Sequence, residues 1–163
     1  MIRFGILTLS DRSARGERAD ASGPALADLI RAENWSVAEQ AILPDDESAI
    51  RSKLMEWADS GRFDVILTTG GTGFALRDVT PEATRAVIQR DAPGLAETMR
   101  AESLKKTPHA MLSRAVAGIR GQTLIVNLPG SPKGAMENLQ IVLTVLPHAV
   151  QLMTDDPNSE RGH

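Results

Sequence analysis

Cysteine is absent from the 163 residues. That excludes a disulfide framework, a thiolate metal site and catalysis by a protein thiol, and it agrees with a reducing compartment. Tyrosine is also missing, and aromatic side chains amount to three Phe and two Trp, so platforms for stacking nucleobases are scarce. The net charge is −3 and the pI about 5.6, which lacks the strongly basic footprint of a nucleic-acid binder. No stretch approaches the roughly 20 apolar residues of a membrane span. The opening MIRFGILTLSDR is too short in its apolar part for a signal-peptide core and has no small-residue cleavage site. A soluble, cytoplasmic protein without membrane or nucleic-acid partners is expected. The length fits one domain able to bury a core without staples, taken as residues 1–153 with a polar tail at 154–163.

Apolar runs and helical stripes alternate along the chain. Ile2 to Leu9 reads as a buried first strand, followed by the charged surface loop SDRSARGERADASG. A helix then places Ala25, Leu26, Leu29 and Ile30 on one face, with Pro24 in its first turn. Trp35 to Leu43 reads as a strand ended by Pro44. Ile50, Leu54, Trp57 and Ala58 sit at helical spacing, with Gly61 as the stop. Val65, Ile66 and Leu67 form a third strand. Helical patterns follow over Pro81–Arg90 and Pro93–Lys105, broken at Pro108-His109. Ala115–Ile119 and Thr123–Leu128 are strands joined in a hairpin by Arg120-Gly121-Gln122. From Lys133 a last helix carries Leu139, Val142, Leu143, Leu146 and Val150, with a kink expected at Pro147. The order predicts an α/β three-layer sandwich with a mainly parallel sheet and helices on both faces.

Such sheets bind ligands beyond the C-terminal ends of their strands. Three loops leave strand ends there: Ser10-Asp11-Arg12, the turn TTGGTG, and LPGSP. Gly70, Gly71 and Gly73 allow a sharp turn that directs backbone N–H groups toward one point, a site suited to phosphate. No Lys-Ser/Thr follows as in a P-loop, and Leu76 stands where the dinucleotide fingerprint needs its third glycine. Taken alone, the glycines read equally well as a strand-to-helix turn. The hydroxyls of Thr68, Thr69 and Thr72 and the pair Arg77-Asp78 tilt the reading toward ligand binding. Thr80-Pro81-Glu82 reads as a capped helix start.

Taken singly, Asp78 reads as a capping residue and Asp45 as a loop carboxylate. Together, at the ends of neighbouring strands, they read as a pair able to hold a magnesium ion through its waters. Ser131 has two readings of equal standing: a turn residue, or a hydroxyl that with the Gly130 and Ser131 amides holds a phosphate at a helix N-terminus. With the global charge negative, attraction of an anion falls to local cations such as Arg12, Arg77 and Lys133. His109, His148 and His163 share no metal-ligand spacing and receive no role.

The blocks LTLSDRSARGERADASGP, LPDDE, TTGGTGFALRDVTPEAT and HAMLSRAVAGIRGQTLIVNLPGSPKG, in this order over nearly the whole chain, resemble the MogA/MoaB family of molybdenum-cofactor biosynthesis proteins. RDVTPEAT looks more like the MogA branch. The resemblance implies a homotrimer that adenylylates molybdopterin with Mg-ATP, releases pyrophosphate, and contacts the molybdate-insertion protein. It implies catalytic, metal-holding roles for Asp45 and Asp78. It further implies a nucleotide and pterin-phosphate pocket of Ser10, Asp11, Thr69, Gly70, Gly71, Thr72, Gly73, Glu82, Gly130 and Ser131. The alternative within the family is a non-catalytic, MoaB-like pterin-binding protein. A scaffold domain like that of gephyrin would need partner domains, which 163 residues are not expected to supply.

Overall fold

Alternation along each strand decides which side faces which core. In β1 (Arg3–Leu9) Phe4 and Ile6 point to one side of the sheet and Leu7 and Leu9 to the other, because successive side chains of a strand project to opposite faces. The same division holds in β3 (Val65–Thr69), with Val65 and Leu67 opposite Ile66, and in β6 (Thr123–Leu128), with Leu124, Val126 and Leu128 opposite Ile125. Strands buried on both faces read as continuous apolar runs, as the sequence does there. The computed structural model describes residues 1–155, and the expected tail lies almost wholly outside them.

The sheet has six strands in the order β2-β1-β3-β6-β5-β4, where β2 is Ser36–Leu43, β4 Arg90–Asp91 and β5 Ala117–Arg120. β2, β1, β3 and β6 run parallel, and β5 is antiparallel to both β6 and β4. α2 (Ser22–Ala32), α5 (Pro93–Leu104), α6 (Pro132–Val142) and α7 (Leu146–Met153) build the core on one face through Leu26, Ile30, Met99, Leu139 and Leu146. α3 (Glu47–Asp59) and α4 (Thr80–Val87) cover the other with Ile50, Leu54, Trp57, Ala83 and Val87. The expected three-layer α/β arrangement is therefore the observed one. No described helix is long and apolar enough to cross a membrane.

Four local details differ from the sequence reading. The loop after β1 contains a one-turn helix, α1 (Asp11–Ala14), capped by Ser10, whose hydroxyl accepts from the Ser13 amide at 3.2 Å. The helix expected to reach Arg90 stops at Val87, because Gln89 and Ala92 donate their amides to Ile119 and Ala117 of β5. An open sheet edge overrides helix propensity there. The break at Pro108-His109 is a 3-10 turn over Pro108–Leu112. Pro147 does not kink a continuous helix: α6 ends at Val142, a 3-10 turn spans Leu143–Val145, and Pro147 lies in the first turn of α7, where its missing N–H does no harm.

Between β6 and α4 the core is polar. Asn127, fully buried, donates to the hydroxyls of Thr68 and Thr84 at 2.9 Å each and accepts from the Val116 amide at 3.1 Å. Asn127→Leu keeps the branching and heavy-atom count but strands these partners away from water. The expected loss is about 1–3 kcal/mol, read as a lower urea midpoint with an unchanged slope.

Candidate active site

β1 connects to β2 on one side and β3 lies on its other side, so the chain reverses its winding direction between β1 and β3. A crevice forms at such a switch point, outside the strand C-termini. Here it is a cavity of about 530 Å³. Its walls come from all three expected loops: Ser10 after β1, Thr69, Gly70 and Gly71 after β3, and Gly130 and Ser131 after β6. Asp45, Asp78, Arg18 and Asp20 complete it. A second hollow of about 340 Å³ lies beside it, bordered by Thr72, Gly73 and His109, and the two share Ser131.

Steric contacts fix the glycine turn. Gly70 has φ +104° and Gly71 φ +67°. A Cβ on Gly70 would overlap the Leu9 carbonyl oxygen, and one on Gly71 would overlap the Thr80 hydroxyl and lie 3.1 Å from Asp45 Oδ1. The Gly70 amide is committed to the sheet, donating to Leu128 O at 3.2 Å, so it is not part of an anion cradle. Thr80 does not cap α4 as expected. Its hydroxyl donates instead to Gly70 O at 2.9 Å, and its amide donates to Gly71 O at 3.1 Å.

The two aspartates flank this turn. Asp45 Oδ2 accepts from the Asp11 amide at 3.1 Å, and Asp45 N donates to Asp11 Oδ1 at 3.0 Å, a reciprocal pair that ties the end of β2 to α1. Asp45 Oδ1 is buried and has no hydrogen-bond partner among the described residues. Burial, and then repulsion from Asp11 and Asp78, push the Asp45 carboxyl above the usual aspartate range despite the Asp11 amide. Asp78 accepts from the Ala75 amide at 3.0 Å, and its Oδ2 would lie 2.9 Å from a Cβ on Gly73. A buried carboxylate oxygen without a donor is costly unless a cation or proton reaches it, so Asp45 and Asp78 suit a hard cation. Among the described residues no three acidic or imidazole side chains form a closed metal cage.

The remaining expected residues are distributed unevenly. Asp11 is gripped by Arg77, with Nη2 to Oδ1 at 2.9 Å and Nε to Oδ2 at 3.0 Å, and this bond holds its carboxyl below the usual range. Of the cations expected to attract an anion, Arg77 is thus already paired, and neither Arg12 nor Lys133 lines the cavity, whereas Arg18, not among them, does. Thr69 donates to Pro129 O at 2.7 Å and lines the cavity. Thr72 and Gly73 face the second hollow. Ser131 caps α6, accepting from the Gly134 amide at 3.1 Å, and also lines both cavities. Glu82 lies apart from the main cavity and pairs with Arg114, whose bond lowers its pKa. Arg114, Arg18 and Thr80 escaped the sequence reading as site residues. For Arg114 the one available signal was a charged side chain standing just before a short strand of small and apolar residues.

Residues 5–148 match the family described as "Probable molybdopterin binding domain". The chain belongs to that family. A molybdopterin adenylyltransferase of Helicobacter pylori strain J99 is 43% identical over 154 residues, covering 93% of this chain and 88% of its own. The molybdenum cofactor synthesis protein cinnamon of Drosophila melanogaster is 47% identical over 157 residues. That match takes in 95% of this chain but only 26% of cinnamon, so the chain spans about a quarter of that relative. Among solved structures, the molybdopterin biosynthesis enzyme MoaB of Thermus thermophilus superposes with a TM-score of 0.90 at 54% identity, covering 96% of this chain and 99% of that one. The chain thus shares the fold of that solved structure over nearly its whole length.

Proposed function

We propose that the chain is a molybdopterin adenylyltransferase acting in the cytoplasm as a homotrimer, with molybdopterin and ATP as substrates and the molybdate-insertion protein as a downstream contact. The observation that carries the reading is the pair Asp45 and Asp78, one with an unpartnered buried oxygen, on either side of the glycine turn at the switch point of the sheet. The name of the Helicobacter relative supports the same activity. Two hollows that meet at Ser131 suit a reaction joining two substrates.

In this reading an oxygen of the molybdopterin phosphate attacks the α-phosphorus of ATP. The new P–O bond forms as the bond to the bridging oxygen of the β-phosphate breaks, and pyrophosphate leaves. The nucleophile is already an anion at neutral pH, so no general base is required, and positioning and charge stabilisation supply the catalysis. Asp45 and Asp78 would hold magnesium, which when bound neutralises charge on the phosphate oxygens. Ser131 and the start of α6 orient a phosphate at a helix N-terminus. Ser10 and Thr69 line the same cavity.

The test is pyrophosphate release and formation of adenylylated molybdopterin when purified protein meets molybdopterin, ATP and magnesium. Asp78→Ala should lose turnover far more than pterin binding. Molybdopterin binding without pyrophosphate release by the wild-type chain would replace this reading with the non-catalytic one.

A further inference from the structure

The segment from Gly73 to Asp78 carries one of the two aspartates, yet little apolar burial holds it. Phe74 is 68% exposed and Leu76 fully exposed. Within the segment, the Asp78 amide donates to Ala75 O at 2.9 Å and the Ala75 amide donates to the Asp78 carboxylate. This closes a small turn but does not attach it to the body of the protein. On its outer side Arg77 reaches Asp11.

Arg114 makes the attachment on the inner side. Its amide donates to Thr72 O at 2.9 Å, its Nε to Gly73 O at 2.7 Å and its Nη2 to Asp78 O at 2.7 Å, while Nη1 meets the Glu82 carboxylate. One guanidinium therefore grips both ends of the segment and the first turn of α4. It borders the shallow hollow formed by Phe74, Leu76 and Val79, not the main cavity. Glu82 balances its charge, so it offers no bare cation to a phosphate. A planar fork with donors in fixed directions can serve three acceptors at once; the single ammonium of Lys cannot reproduce that pattern.

We infer that Arg114 is a positioning residue that sets the Asp78 carboxylate for the transfer reaction, acting through the backbone at Gly73 and Asp78; the inference rests on the adenylyltransferase reading. Arg114→Ala and Arg114→Lys should each lower kcat by about 10- to 100-fold, the range typical of groups that orient a catalytic ligand. In the Asp78→Ala background the same changes should cost no more than about twofold, because residues acting as one unit are not additive. An equal loss in both backgrounds, or full rescue by Lys, overturns the inference.

Amide hydrogen exchange supplies a readout independent of substrate. In Arg114→Ala the Ala75 amide should lose protection while β3 and α4 keep theirs. Unchanged protection at Ala75, or loss spread across β3 and α4, likewise overturns the inference. Failure of the wild-type chain to release pyrophosphate would instead remove the adenylyltransferase reading, and the exchange result distinguishes the two.

Discussion

Asn in place of Asp45 is expected to abolish most adenylylation while leaving the protein at least as stable as the wild type. Under the proposed role of Asp45 in holding a cation against the phosphates, its loss should lower turnover on the order of 10²- to 10³-fold, the range for removing one group that stabilises charge at a reacting centre. Its stability effect runs the other way. Burial and the neighbouring Asp11 and Asp78 carboxylates raise the Asp45 pKa in the folded chain. A raised acid binds its proton more tightly folded than unfolded. Its contribution is therefore fully present below the ordinary aspartate range and is lost as pH rises through the raised value. At neutral pH the wild type carries a partly buried charge with one oxygen bonded to the Asp11 amide and the other without a donor, and Asn does not carry that charge. Thermal melts of the two proteins should thus separate in favour of Asp45→Asn as pH climbs above the aspartate range. Mg-ATP should reverse the order by stabilising only the wild type, through mass action on the folded state. A variant that melts lower than wild type at neutral pH without ligand would show that the bond from the Asp11 amide to Asp45 Oδ2 outweighs the cost of the buried charge.

Gly70→Ala is expected to damage both stability and activity. At φ +104° a side chain is strained, and the added Cβ would overlap Leu9 O. Neither neighbour can yield, since β1 and β3 are locked in parallel register from Phe4–Val65 to Thr8–Thr69. Backbone strain of this kind costs about 1–3 kcal/mol before the overlap is added. A total near 3 kcal/mol lowers Tm by roughly 6–12 °C in a domain of this size. Displacing the glycine turn by even about 1 Å should reduce turnover on the order of 10²-fold. Gly121→Ala is the control: φ is +57° in the β5–β6 hairpin, but nothing lies within 4 Å of the new methyl. It should lose about 1–2 kcal/mol from the left-handed backbone alone and keep its kcat.

The fold was legible where period and punctuation agree. The β1, β3 and β6 runs are apolar on both faces, and the Ile50-Leu54-Trp57-Ala58 stripe is unambiguous. Legibility failed where a partner distant in sequence decides the local structure. Residues 88–90 continue a helical pattern, yet the unpaired edge of β5 draws Arg90, with Asp91, into a strand. Ser10-Asp11-Arg12 reads as loop, but capping by Ser10 and the Asp45 contact make it a turn of helix. Thr80 has the sequence of a cap and the geometry of a clamp on Gly70.

The candidate site divides along the same line. TTGGTG, Asp45 and Asp78 could be marked from spacing because each follows a strand that the apolar pattern locates. Glu82 was grouped with them through its motif, whereas its position on α4 turns it toward Arg114. Arg114 itself has only a weak local signature. Its role arises only when β5 and β6 bring residue 114 back against the turn after β3.

By itself the chain's order of apolar runs, glycines and prolines determined the alternating elements, because these depend on interactions between near neighbours; a parallel centre of the sheet with its loops at one edge follows from that alternation, since helical crossovers join parallel strands. Tertiary structure alone decided which carboxylate oxygen lacks a donor, which arginine is already paired and which holds the segment before α4. Hydrogen-bond partners and burial are set by residues tens of positions apart, and only packing brings those within reach of one another.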